Sequence, residues 1–494
     1  MADAARPGGG RRVTPAAPVR RLPLVGVLVL AGVLAAVAGD ADVAGPRPAR
    51  EADPATGPPS GSLTAAWYCP GGVPGAGAEA ESLRLANLGD ADARVAVTVH
   101  PDGGGAPVTT TLEVAARAVT EAARADLGPP GGAVVEAFTG DVVVESALVA
   151  EGAVTVEPCA TAPATTWYFA AGTTARGVGQ HLVLYNPFGS DAKVDVRLYT
   201  EAGVTEPDRL RSIDVPRRSR VVVPVHEIER RAQRTAVRVH ATLGQVVAEQ
   251  TLTYGADTGT PGLARSAGAV APAGRWHVPH ATVGPGVTTV VAVANPNDVD
   301  ADVDVVAVAA DPDTLIDPLS VTVPAGRVTW VRIGGCPEPP APDAPCVPVA
   351  ADGVVALDVV AAAADLPVVA EHLARFGGGR GVLTSRAGSA GGREWRFAAA
   401  AVAGVSRGSL TLVTTGTAPV SADVVVVRGG EVTEPERLAG VEVVPGRPTV
   451  VPLDDLLARG TALVVRATGD VVAQRTLGGG AEVTASLGVR GARR

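Results

Sequence analysis

From residue 63 onward, apolar and polar residues alternate in short runs, as in "KVDVRLYTEAG" (193–203) and "DVDVVAVAAD" (302–311). Period-two alternation with β-branched enrichment, broken by Gly, Pro, Asn and Asp every eight to twelve residues or so, predicts antiparallel strands and no long helices. One phrase then recurs. "GQVVAEQTLTYG" begins at Gly244, and close variants begin at Gly140 ("GDVVVESALVAEG"), Leu366 ("LPVVAEHLARFG") and Gly469 ("GDVVAQRTLGGG"). A tryptophan precedes each copy: Trp67, Trp167, Trp276 and Trp395, in steps of 100, 109 and 119 residues. Each interval holds roughly seven strands in roughly a hundred residues, the size of an immunoglobulin-like sandwich. The expected fold is therefore all-β, with four tandem immunoglobulin-like β-sandwich repeats at 63–163, 164–270, 271–388 and 389–488, each burying a core of its own. A four-bladed propeller competes less well, because a blade needs only about four strands.

The pattern changes completely before residue 63. Arg11, Arg12, Arg20 and Arg21 lie in a basic segment, 1–21, ahead of "LPLVGVLVLAGVLAAVAG" (22–39), an uncharged run of 18 residues. This is one N-terminal hydrophobic helix, either a transmembrane anchor or a signal peptide ending near Ala36-Val37-Ala38. In both cases the rest of the chain is expected outside the cytoplasmic membrane, single-pass if anchored and secreted if cleaved. A Pro, Ala and Gly-rich linker is expected at 40–62 and a basic tail at 489–494.

Composition refines this picture. Aromatics are only 3% of the chain, so the cores must pack through many Ala, Val and Leu contacts. A net charge of −9 argues against nucleic acid as a partner, since phosphate binding needs clustered cations. Four cysteines suit an exported chain. Cys69 and Cys159 stand at the ends of the first repeat, and Cys336 and Cys346 bracket "PEPPAPDAP", so these are the expected pairs. Four-thiolate zinc is disfavoured because no C-x-x-C spacing is present.

The W-x-C or W-x-F opening, L-x-L-x-N-P at Asn186-Pro187 (V-x-V-x-N-P at Asn295-Pro296), V-P-x-x-S/G-R, and the V-V-A-E closing strand occur in a fixed order. In this order the chain, over about 62–488 together with the preceding apolar run, resembles an uncharacterised family of exported actinobacterial envelope proteins (domain of unknown function 5719). The resemblance implies a location and no known activity. Copy 1 has Asn87-Leu88 at the turn, copy 4 lacks the Asn-Pro pair, and copy 4 carries Gln474 where the others carry Glu.

Every motif suggesting chemistry has a plainer reading. Gly404-Val405-Ser406-Arg407-Gly408 matches G-x-S-x-G, yet the last histidine, His372, precedes it, and a nucleophile elbow needs a later one. Asp298, Asp300, Asp302 and Asp304 alternate as a solvated strand face would, and Val305 stands where a calcium loop begun at Asp300 needs glycine. "HEIER" from His226 has Arg230 where a zincin needs its second histidine. His277 and His280 lack a third ligand nearby in sequence. No cofactor or metal is expected. Glu145, Glu249 and Glu371 recur at one position of the closing strand, among valines, where a carboxylate held by a partner such as an arginine is the expected reading.

The leading expectation is a non-enzymatic structural or interaction protein of the cell envelope, its partners being other envelope proteins and the membrane through 22–39. The alternative is a module binding cell-wall glycan or lipid-linked sugar. For that role the candidate residues are Trp330, which breaks the tryptophan pattern and is expected to be exposed, with Arg217, Arg218 and Arg220 of the arginine-rich stretch 209–234.

Overall fold

The computed structural model describes residues 53–492, apart from 54, 60–61, 76–79, 140, 151–152, 340–343, 351, 380 and 480–481. The apolar run 22–39 and the basic segment before it lie outside the described residues. Among the described residues no helix is long and apolar enough to cross a membrane.

The described chain is all-β in class, with strands joined by loops and a few short helical turns. The first repeat contains β1 (Ala65–Cys69), β2 (Glu81–Asn87), β3 (Ala93–Pro101), β4 (Val108–Val114), β5 (Ala118–Ala123), β6 (Gly131–Ala137), β7 (Val142–Ala150) and β8 (Ala153–Pro158). They form two antiparallel four-stranded sheets, ordered β1-β6-β3-β4 and β5-β2-β7-β8. This order differs from the expected immunoglobulin arrangement, in which the first, second, fourth and fifth strands share a sheet. Here the first strand pairs with the sixth, and the second lies between the fifth and the seventh.

The same order returns three times. In the second copy the first strand, Thr166–Gly172, pairs with the sixth, Thr235–Leu243, while the second strand, Val178–Asn186, lies between Ser219–Pro224 and Val247–Tyr254. The third copy repeats this and adds one short parallel strand, Cys346–Val347. In the fourth, a single strand, Thr461–Gly479, serves as sixth and seventh together. Its first part pairs with Val420–Arg428 and its last part with Arg407–Thr414, so it crosses between the two sheets.

Alternation explains why the sheets close on cores. Along Ala192–Thr200 the residues Ala192, Val194, Val196 and Leu198 are buried, while Lys193, Asp195 and Arg197 face outward at least in part. Because the other core side chains are small, each repeat tryptophan is its largest plug, and all four are buried. The indole N–H of Trp167 donates to Val246 O at 2.9 Å, that of Trp276 to Val368 O at 2.7 Å and that of Trp395 to Val471 O at 2.7 Å. Each bond ties the first strand to the start of the seventh. Disulfides join Cys69 to Cys159 and Cys336 to Cys346.

The cores are not separate beads. The eighth strands, β8, Gly262–Ala267, Val382–Arg386 and Glu482–Leu487, pack each against the next and the last against the first. Thr384 Oγ1 donates to Arg265 O at 3.0 Å, and Val156 N donates to Thr484 Oγ1 at 3.3 Å. Apolar clusters cross every junction. Tyr68 and Val134 join the second core, Ala171 and Leu252 join the third, Ala374 and Leu383 meet Ala485, and Val154 and Val156 meet Ala399 and Leu477. Residues 52–494 are thus one compact unit, a closed ring of four two-sheet members. Ring closure is the feature that the rejected propeller shares; the members are twice a blade in strand number.

The chain ends close the ring. Thr56 pairs with Arg490 in parallel, Gly57 N donates to Arg490 O at 2.8 Å, and Arg490 N donates to Ala55 O at 2.9 Å. The Asp53 carboxylate lies 3.0 Å from Arg490 and 3.5 Å from Arg386. Asp53 and residues 55–57 of the expected linker are therefore packed against the fourth copy, and Val489–Arg490 is a strand and not a free tail.

Candidate functional site

The recurring acid position lies on each seventh strand, with Gln474 in the fourth copy, and in three copies its side chain reaches into the neighbouring member of the ring. Its target is the backbone four residues after a repeat tryptophan. Glu371 Oε2 accepts from Ala171 N at 2.6 Å while Oε1 accepts from Ser266 Oγ at 2.6 Å. Glu145 Oε2 accepts from Ala399 N at 3.1 Å and from Arg475 Nη1 at 2.9 Å. Gln474 Oε1 accepts from His280 N, and its Nε2 donates to His280 O, both at 3.3 Å. Gln474 therefore does what glutamate does elsewhere, since an amide oxygen accepts the same backbone donor.

The junction between the first and second copies is different. There Glu249 holds Arg265 in a fork, Nε to Oε1 at 2.6 Å and Nη2 to Oε2 at 2.9 Å. The amide of Gly72, beside the equivalent position, donates instead to Glu81 Oε2 at 3.1 Å. Glu81 also accepts from Ser146 Oγ and lies 3.6 Å from both Arg265 and Arg124. Burial pushes its pKa up, but Arg265, Arg124 and the Ser146 and Gly72 donors more than offset this, leaving it below the ordinary value. Arg220 adds a second tie, with Nε on Asp102 at 2.7 Å and Nη1 on Pro70 O at 2.8 Å and Gly72 O at 2.9 Å. Arg396 binds Asp141 at 2.6 Å across the junction of the first and fourth copies.

Buried carboxylates titrate differently according to their partners. Burial pushes Glu371, which has only hydroxyl and amide donors in contact, up to about 7. Glu157, fully buried on β8, is raised well above the usual range by burial and next by the nearby Glu249. His280 and His372 are held down to about 4 and about 3 by burial, and His372 further by His280.

The sequence-derived candidates separate in space and in role. Ser406 is exposed at the start of the strand Arg407–Thr414, with a turn before it and no helix after it, so it is not an elbow. Asp302 and Asp304 accept from Thr322 Oγ1 and Ser320 Oγ on the adjacent strand at 2.6 Å each, and Asp300 accepts from Ala325 N at 2.8 Å. Among the described residues no cluster of three or more metal-ligating groups occurs. His277 Nδ1 lies 2.6 Å from Asp358 within its own repeat, whereas His280 Nδ1 meets Thr411 of the fourth copy at 2.8 Å; the two do not converge. His226 Nδ1 contacts Gln180 O at 3.0 Å. Trp330, expected to be exposed, is partly buried against the third core, and its indole nitrogen is enclosed. Arg220 is buried in the tie described above, which removes it from a surface role; Arg217 and Arg218 are exposed on a turn.

What sequence reasoning missed is the partner set. Glu81, Arg124 and Ser146 of the first repeat and Arg475 of the fourth follow no common spacing. The turn residues were more legible. Asn87, Asn186 and Asn295 each accept from the amide two residues on at 2.9–3.0 Å and donate to a carbonyl across the turn. In the fourth copy Thr414 Oγ1 accepts from Gly416 N at 3.2 Å in the same manner.

The geometry defines an all-β protein whose buried ionic groups lie at the joints of a closed ring. Residues 149–379 match the family described as Family of unknown function (DUF5719), from the end of the first copy through nearly all of the third. No curated protein matches the chain. Among solved structures it shows similarity to a glycoside hydrolase family 32 protein from Bifidobacterium adolescentis, at 11% identity over 87% of this chain and 96% of that one. The TM-score of 0.14 is too low to bear on fold or activity.

Proposed function

We propose that this chain is a non-enzymatic structural or interaction protein of the cell envelope, carried outside the cytoplasmic membrane on the apolar segment 22–39. One observation carries the reading: the recurring acid position, for which a structural tie is the expectation, holds the copies together at Glu145, Glu371 and Gln474. Ionic groups used this way stabilise a rigid body whose outer surfaces are left for partners. The exposed Arg217 and Arg218 are the surface residues that remain from the glycan alternative.

In-cell crosslinking of the tagged full-length chain, followed by mass spectrometry, tests this. Reproducible capture of one or a few envelope proteins is the expected result. Failure to capture any, together with sedimentation of the purified protein on isolated cell wall, would replace the proposal with glycan binding.

A further inference from the structure

A cleft of about 380 Å³ opens at the joint between the first and second copies. Pro74, Pro129 and Pro130 form apolar walls, and Glu81, Arg124 and Arg220 line it as well. The volume is in the range of small-molecule sites, which pair apolar walls with a few fixed polar groups.

The two arginines are not equivalent. All of Arg220's nitrogens are engaged, on Asp102, Pro70 O and Gly72 O. Arg124 is not saturated. Its side chain is 8% exposed, Nη2 donates to Gly131 O at 2.7 Å, and Nε lies 3.6 Å from Glu81, yet Nη1 is enclosed with no acceptor. A buried charged donor without an acceptor is costly and calls for a missing partner. Burial and then the like charge of Arg220 both disfavour the charged form of Arg124, with Glu81 opposing them. A small rotation of the guanidinium that turns Nη1 toward an anion in the cleft would relieve that cost.

We infer that this cleft binds a small organic carboxylate, with the carboxylate oxygen taking the free Nη1 of Arg124 and an apolar body lying against the prolines. A monoanion fits better than a phosphate dianion because Glu81 keeps a negative charge in the same cleft. This assignment is independent of the envelope role proposed above.

Calorimetric titration of the full-length protein with butyrate, cyclohexanecarboxylate and benzoate, beside the corresponding amides, tests it. At least one acid should bind saturably with one-to-one stoichiometry and at least tenfold more tightly than its amide. Arg124→Gln should weaken that binding tenfold or more, while Arg217→Gln, on the exposed turn, should bind as the wild type does. Acids that bind no better than amides, or an Arg124→Gln protein with unchanged affinity, would overturn the assignment. Should Arg124→Gln fail to fold, as circular dichroism would reveal, the wild-type comparison of acid with amide decides alone.

Discussion

Trp167 and Trp67 occupy the same place in neighbouring copies, but they do not make the same bonds. Trp167→Phe removes the indole donor to Val246 O, which keeps only the Ala164 amide at 3.0 Å, whereas the Trp67 indole nitrogen has no acceptor among the described residues. Both changes lose similar ring volume, so the difference isolates the hydrogen bond. Trp167→Phe is expected to cost about 1 kcal/mol or more beyond Trp67→Phe, as read by urea unfolding. Titratable residues give a second expectation. Glu371 is raised to about 7, so the stability it supplies is complete below its unfolded value near 4.5 and is lost as pH rises through 7. His280 and His372 are depressed to about 4 and about 3, so theirs is complete above 6.5 and is lost as pH falls toward those values. Between pH 4.5 and 6.5 these two histidines, with His181 also held down to about 4 by burial, make stability rise with pH, against Glu371 and Glu157. Replacing His372 with Leu should flatten that rise by about 1.4 kcal/mol per pH unit, the contribution of one proton, in unfolding free energies measured across the window.

The seventh strand is the element on which the copies depend. Its alternation places Val369, Glu371 and Leu373 on one side in the third copy, and the glutamate lies where a hydrophobic residue would be expected. Glu371 is retained there because the amide of Ala171 and the hydroxyl of Ser266 need an acceptor. Glu371→Gln keeps an acceptor oxygen and copies the natural Gln474, so a loss under about 1 kcal/mol is expected. Glu371→Leu fills similar space but strands both donors, and should cost about 1–3 kcal/mol more than the Gln variant. Equal losses in the two variants, measured by denaturant unfolding, would show that the acceptor is not what the strand needs.

Four sandwiches that each buried a separate core would unfold independently. Here apolar clusters cross all four junctions, ion pairs tie the first copy to both of its neighbours, and residues 55–57 pair with Arg490. Unfolding of the oxidised protein is therefore expected to be one transition, with a calorimetric enthalpy close to the van't Hoff value. Separate transitions for single copies would contradict the closed ring. A chain ended after the third copy would expose Ala374, Leu383, Val154 and Val156, and should aggregate on sizing columns where the full chain does not.

Local patterning was enough to reveal the strands and the pairing of Cys69 and Cys336 with their partners. These properties depend on period-two burial and on positions within one repeat, and both are written along the chain. The recurring glutamates were visible as oddities among valines, with a structural tie as their reading. Their acceptor role was not visible, because Ala171, Ala399 and His280 present backbone amides, which leave no mark on residue identity. Arg220 was misplaced for a related reason, since its burial depends on the first repeat lying over it, and Trp330 because its own core takes up part of the ring. Strand order and ring closure came only from the fold. Alternation states which face of a strand is buried but not which neighbour buries it, and contacts between copies a hundred or more residues apart are settled by packing in three dimensions.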